Sequence, residues 1–278
     1  MRKLRSCICI ALCLLLLSGC SDLLADFVPA STEPPVIPSE APTVSPAPDV
    51  TEAPSADLPE PTQLPEPTAP EHSELYIPGL SVEDVIVYFN EVCLDAEFVH
   101  SGDATVLQKW EDPIYCSLFG DYTEEDYATL TAFFSWLNTV DGFPGISLAE
   151  DRYDVNLLIH FCSQDTLIEI MGENFYGTDG GVTFWYDGEN RIYDATICYR
   201  DDLDQHLRNS VILEEIYNGL GPVQDTDLRE DSIIYSQFSQ PQALTEIDEL
   251  ILRLLYHPDM QCGMSAAECE TVIRRLYY

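Results

Sequence analysis

The sequence predicts an α+β domain over residues 73–278, and three observations predict it. Apolar residues recur at the 3.6-residue period of a helix in five segments and alternate at the two-residue period of a strand in four. Those segments run in the order α-β-α-β-β-β-α-α-α, with no internal repeat. The 206 residues from Ser73 onward hold nearly all of the chain's 3 Trp, 11 Phe and 15 Tyr, enough apolar surface for one full core.

The first segment, "SVEDVIVYFNEVCLDAEF" (81–98), opens with Ser81 three residues before Asp84, a capping signature, and places Val82, Val85, Ile86 and Phe89 on one helical face. "DPIYCSLFGD" (112–121) reads as a strand bounded by Pro113 and Gly120. "TEEDYATLTAFFSWLNTV" (123–140) carries a Thr cap, acidic residues in its first turn and an apolar stripe, which together specify a helix. "DVNLLIHF" (154–161) is a strand with Val155, Leu157, Ile159 and Phe161 on one face. "GVTFWYDGENRIYDATICYR" (181–200) is a hairpin turning at Asp187-Gly188-Glu189-Asn190. A helix over about 203–220, a loop rich in Asp and Pro, and helices over 244–256 and 265–277 complete the domain.

The chain before Ser73 has a different character. "MRKLRSCICIALCLLLLSGC" (1–20) sets Arg2, Lys3 and Arg5 ahead of an apolar run too short for an ordinary membrane-spanning helix, followed by Leu17-Ser18-Gly19-Cys20. This order predicts a signal peptide over 1–19, resembling a bacterial lipobox, with cleavage before Cys20 and lipid (palmitate) attached to the sulfur of Cys20. Plain secretion and an uncleaved anchor are the alternatives. Residues 20–72 then read as the lipidated cysteine plus a disordered, proline-rich stalk: 13 of the 19 prolines lie between Pro29 and Pro70. In polyproline II its 52 residues from Ser21 reach about 160 Å. The expected localisation is the extracytoplasmic face of the cell membrane, with the lipid bilayer as a partner through Cys20.

Charge excludes some partners. The chain has a net charge of −37, and residues 73–278 keep 39 of its 49 acidic but only 9 of its 12 basic side chains. Nucleic acid is therefore no partner, and adhesion to anionic lipid is disfavoured. Six domain cysteines, Cys93, Cys116, Cys162, Cys198, Cys262 and Cys269, sit in a compartment that permits disulfides. Their pairing stays open among 15 possibilities, and the apolar contexts of several suit buried thiols. No CxxC pair and no Cys/His cluster marks a structural zinc site.

Within "ILEEIYNGLG" (212–221), a step of 100° per residue spreads Ile212, Leu213, Ile216, Tyr217 and Leu220 over one apolar face. Glu214 and Asn218 point the opposite way with Glu215 at their edge, the pattern of a helix flooring a cleft. Zinc proteases use this spacing, H-E-x-x-H, to present two imidazoles to the metal beside a general-base glutamate. Here Glu214 and Asn218 occupy the ligand positions and Glu215 the base position, while Asp225 lies where a third ligand comes. Oxygen donors suit a hard divalent cation and form a poor zinc site. Solvated carboxylates on an ordinary helix are the plainer alternative.

"EEIYNGLGPVQD", "DSIIYSQF" and "LTEIDELILRLLYHPDMQCGM" occur in that order. They resemble the bacterial family known as domain of unknown function 2927, with Asn218 for its Gln, Gln224 for its Asn and His257 for its Asp. The resemblance spans most of 80–278. That family in turn looks like a degenerate metzincin, a zincin-like peptidase relative. The resemblance implies a twisted mixed sheet, a central active-site-type helix, a glycine turn, an S-I-M-like turn at Ser232-Ile233-Ile234 and closing C-terminal helices. It also implies that the strand carrying Phe184, Trp185 and Tyr186 is an edge strand able to pair with an extended envelope peptide; the plainer alternative is that these three aromatics cover the core beside the hairpin. The ligand histidines and the turn methionine are missing from the matching positions.

The five histidines, His72, His100, His160, His206 and His257, are scattered. No P-loop, G-x-S-x-G or dinucleotide fingerprint is present. A Glu214/Glu215 or Asp225 acid/base pair for sugar-bond cleavage finds no separation in the sequence to test it. The functional expectation is a pseudo-peptidase, an envelope lipoprotein whose domain binds or scaffolds a peptide or cell-wall component with no cofactor. The alternatives are a divergent metal-dependent hydrolase with zinc or another divalent metal held by Glu214, Asn218 and Asp225 and Glu215 as general base, and a purely structural spacer.

Overall fold

The computed structural model describes residues 73–94, 106–149, 154–237 and 240–278. The expected signal peptide, Cys20, the stalk, His72, His100 and the stretch 95–98 of the first predicted helix lie outside the described residues. Helix α1 (Val82–Leu94) begins where Ser81 and Asp84 cap one another: the Asp84 N–H donates to Ser81 Oγ (3.1 Å) and the Ser81 N–H to Asp84 Oδ2 (3.3 Å). Strands β1 (Lys109–Trp110) and β2 (Ile114–Gly120) follow, then α2 (Glu124–Leu137), β3 (Ile146–Leu148) and β4 (Leu157–Cys162). Next come α3 (Gln164–Met171), a 3₁₀ turn (Glu173–Phe175) and the hairpin β5 (Gly180–Tyr186) and β6 (Arg191–Arg200). Helices α4 (Gln205–Gly219), α5 (Glu246–Leu255) and α6 (Ala266–Leu276) close the described chain.

The sheet is mixed, as expected for an α+β fold. β2 pairs in parallel with β3 and β4, β4 with β6, and β5 lies antiparallel to β6. Ile192 pairs with both Trp110 and Tyr186, and Ala195 with both Leu157 and Phe184. β5 therefore occupies one edge of β6, while β1 and β4 share the other in succession. At the hairpin Asp187 Oδ1 accepts the Glu189 and Arg191 N–H groups, and Asn190 takes a positive φ of 64°.

The faces of the sheet are covered unequally. Leu157, Ile159 and Phe161 of β4 and Ala195, Ile197 and Tyr199 of β6 point into the main core with α1, α2, α4 and α5. On the opposite face Cys198 joins Leu167, Met171 and Phe175 in a small separate core under α3. β1, β3, α3 and the 3₁₀ turn are additions to the nine expected elements. The first two and the last are two or three residues long, too short for a period to register, whereas α3 had a legible start in Ser163, whose Oγ accepts the Thr166 N–H (3.3 Å).

Candidate functional site around the central helix

Helix α4 is held at both ends by other elements. Asp204 caps its start by accepting the Leu207 N–H (3.1 Å), and Arg208 in its first turn donates to Asp126 of α2 (2.8 Å). Asp126 also accepts Gln205 Nε2 (2.6 Å) and the Thr123 N–H (2.7 Å). Burial alone raises the Asp126 pKa, but these hydrogen bonds outweigh it and hold the carboxyl below its ordinary range. At the far end Trp110 Nε1 donates to the Gly219 carbonyl (2.9 Å) and the Tyr256 hydroxyl to the Leu220 carbonyl (2.8 Å), so two aromatic donors satisfy carbonyls that a helix end leaves open. Gly221 then turns the chain at φ +130°, where a side chain would collide with the Gln108 carbonyl.

The predicted apolar face is buried as expected: Ile212, Leu213, Ile216, Tyr217 and Leu220 all lie in the main core. The opposite face overturns the plainer alternative of solvated carboxylates. Glu214 is 8 % exposed, Glu215 4 % and Asn218 0 %, so the helix is enclosed on its mixed side as well. One row of that side touches the sheet. A Cβ at Gly180 of β5 would stand 2.7 Å from Val211 Cγ1 and 3.1 Å from Glu215 Cγ, and a Cβ at Gly219 would meet Val182 and Ile197. Val211, Glu215 and Gly219 are four apart and form the row on which β5 and β6 rest. Glu214 and Asn218 sit one step around the helix from it.

Asp225 lies beyond the helix in a half-buried loop tied to α1: the Gln224 N–H donates to the Val92 carbonyl (3.4 Å) and Thr226 Oγ1 to Glu91 Oε1 (2.6 Å). Among the described residues no three His, Cys, Asp or Glu side chains converge to hold a metal ion. The donor chemistry also fails the fit for zinc, since an amide at 218 and a carboxylate at 214 stand where a borderline-soft cation prefers imidazole.

The turn Ser232-Ile233-Ile234 has a clear structural role. Ser232 Oγ donates to Asp248 Oδ1 (2.7 Å) and accepts the Tyr88 hydroxyl of α1 (2.8 Å) and the Ile234 N–H (3.2 Å). Asp248 also accepts the Ile233 N–H (3.3 Å), the Thr245 N–H (2.9 Å) and Thr245 Oγ1 (2.8 Å), which caps α5. Tyr217 of α4 reaches the Asp248 carbonyl (3.2 Å). Burial pushes the Asp248 carboxyl and the Tyr88 hydroxyl upward in pKa. Ser232, Thr245 and Asp248, positions that carry the family resemblance, are thus joined as one buried polar knot linking α1, α4 and α5.

The strand with the three aromatics is an edge strand: among the described residues β5 pairs with β6 alone. Its side chains divide. Phe184 is 4 % exposed and belongs to the main core, which corrects its assignment to a binding surface, whereas Trp185 and Tyr186 are half-buried. Alternation made the place of Phe184 readable, because it follows Val182 onto the core face, and half-buried Tyr186 packs against that core as well. The described histidines have separate surroundings. His160 stacks on Phe119 across β4 and β2 (4.9 Å between ring centroids), His206 is exposed, and His257 Nδ1 accepts the Asp259 N–H. All six domain cysteines are free, and Cys93, Cys116, Cys198 and Cys269 are buried as small apolar groups. Asp126, Arg208, Trp110 and Lys109 entered no site expectation, because their roles depend on partners distant in sequence.

Residues 83–275 match the family model described as "Protein of unknown function (DUF2927)". No curated protein and no solved structure matches the chain.

Proposed function

The chain belongs to the DUF2927 family, and from that premise we propose that it is a membrane-anchored cell-envelope lipoprotein whose domain is a non-catalytic, metzincin-like binding or scaffolding module. The observation that carries this reading is the seating of α4 against the antiparallel edge strand β5, with Glu214, Glu215 and Asn218 at the zinc-protease positions and no imidazole among them. The turn at Gly221, the buried Ser232-Ile233-Ile234 turn and the following α5 support the metzincin-like relationship. Among the described residues β5 has no strand on its outer edge, beside half-buried Trp185 and Tyr186, which suits an extended envelope peptide added as a further strand. Cys20 behind a lipobox-like sequence, and the proline-rich stalk, support a module held outside the cytoplasm on acyl chains.

Metal analysis tests the non-catalytic part. Purified protein dialysed against zinc, manganese or calcium is expected to retain less than one equivalent of any of them, and Glu215→Gln is expected to leave that content and any background peptidase rate unchanged. Stoichiometric metal lost in Glu214→Ala, together with peptide cleavage lost in Glu215→Gln, would replace this reading with the hydrolase.

A further inference from the structure

Cys162 ends β4, and Cys198 lies on the neighbouring parallel strand β6. Cys162 stands opposite Arg200 and His160 opposite Cys198, so the two cysteines are one same-face step apart along the ladder. Both lie outside the main core. Cys198 is fully buried with Leu167, Met171 and Phe175 under α3, and half-buried Cys162 packs against that same cluster. Their thiols meet there, the Cys198 S–H donating to the Cys162 sulfur. Among the described residues no other two cysteines are hydrogen-bonded to each other, and the Cys262 thiol is turned to the Lys109 carbonyl (3.6 Å).

This contact makes the two thiols unequal. The hydrogen bond from Cys198 favours the Cys162 thiolate and holds its pKa below the ordinary thiol value, against burial and the Asp201 carboxylate. The same bond, together with burial, pushes the Cys198 thiol up. A reachable thiolate backed by a buried thiol is the arrangement of an oxidisable dithiol, because the thiolate is the nucleophile and its neighbour resolves the intermediate. Diagonal partners on a sheet stand just beyond the usual reach of a disulfide. Cys162, however, is the last residue of β4, next to the Ser163 cap of α3, where a shift of the strand end closes that gap.

We propose that Cys162 and Cys198 form a thiol–disulfide exchange site whose oxidant is a small-molecule disulfide. The Cys162 thiolate attacks one sulfur of the oxidant and breaks its S–S bond. The released thiolate takes up the proton that Cys162 gave to water, and Cys162 keeps the other half as a mixed disulfide. Cys198 then attacks the Cys162 sulfur and passes its own proton to the second leaving sulfur. Two protein thiols are thereby oxidised to one disulfide, and the oxidant is reduced to two thiols. The new bond fastens the entry of α3 to β6. It depends on these two thiols alone and stands apart from both the peptide edge of β5 and the envelope reading.

The spacing of arginines makes the test direct. Cleavage after Arg152, Arg191 and Arg200 places each cysteine in a peptide with no other, residues 153–191 and 192–200. The full chain is oxidised with hydroxyethyl disulfide, a neutral reagent that the net charge of −37 does not repel, then blocked with N-ethylmaleimide and digested with trypsin. Mass spectrometry is expected to find these two peptides joined and lighter by two hydrogens. Cys198→Ala is expected to lose the joined species and stop with the hydroxyethyl half on Cys162, whereas Cys162→Ala is expected to leave Cys198 unmodified in the folded chain. Wild-type protein whose two peptides stay unjoined, or in which either cysteine is joined elsewhere, would overturn the proposal. Cys198 carrying the hydroxyethyl half in Cys162→Ala would overturn the order of attack. If either variant does not fold, the wild-type digest decides alone.

Discussion

Asp126 completes two local structures at once. Its Oδ2 accepts the Thr123 N–H in the capping box of α2, while its Oδ1 holds Arg208 and Gln205 of α4. With Asp126 fully buried, removing it strands a guanidinium in the interior, and Asp126→Ala is expected to cost about 3–5 kcal/mol in urea unfolding at pH 7. The folded-state pKa is held low, so the carboxylate's contribution is present above the unfolded value of about 3.9 and is lost as pH falls through the folded one. Asp126→Asn is therefore expected to flatten the acid side of the stability profile, checked by denaturation between pH 2 and 7 (a window set by those carboxylate values). Thr123 and the acidic first turn were readable as a cap. The partner Arg208, 82 residues on, was not, because a cap is local and an ion pair across the core is not.

At the scale of elements, α4 and β5 show what a period can and cannot reveal. The apolar face of α4 followed from residue spacing because a 3.6-residue repeat fixes which side chains share a side. Whether the other side is wet depends on what covers it, and here Gly180 and Gly219 let the sheet come close enough to bury Glu215. β5 divides the same way. Phe184→Ala is expected to cost about 3–5 kcal/mol as a core truncation, whereas Trp185→Ala with Tyr186→Ala is expected to cost about 1 kcal/mol or less each and to weaken the capture of an extended peptide. Chemical denaturation measures the first difference and fluorescence anisotropy of a labelled peptide the second. Equal peptide affinity in the double variant would remove the aromatics from the binding edge.

Over the whole molecule, the described residues contain no helix long and apolar enough to cross a membrane. The proposed attachment rests on Cys20, outside the described part: Cys20→Ala is expected to abolish incorporation of a radiolabelled fatty acid and to release the protein into the soluble fraction, and label persisting in that variant would refute the anchor. The sequence by itself determined the α+β class, the hairpin, the five long helices and the family, because these rest on periods, caps and blocks that repeat within a few residues. Only the tertiary structure decided that the carboxylates of α4 are buried and that Ser232, Asp248 and Tyr88 form one knot. It also decided that Phe184 is core and that Lys109 is buried against the Leu255 and Met260 carbonyls. Each of these is set by which distant surfaces meet, and burial and hydrogen-bond pairing across such surfaces leave no mark in local order.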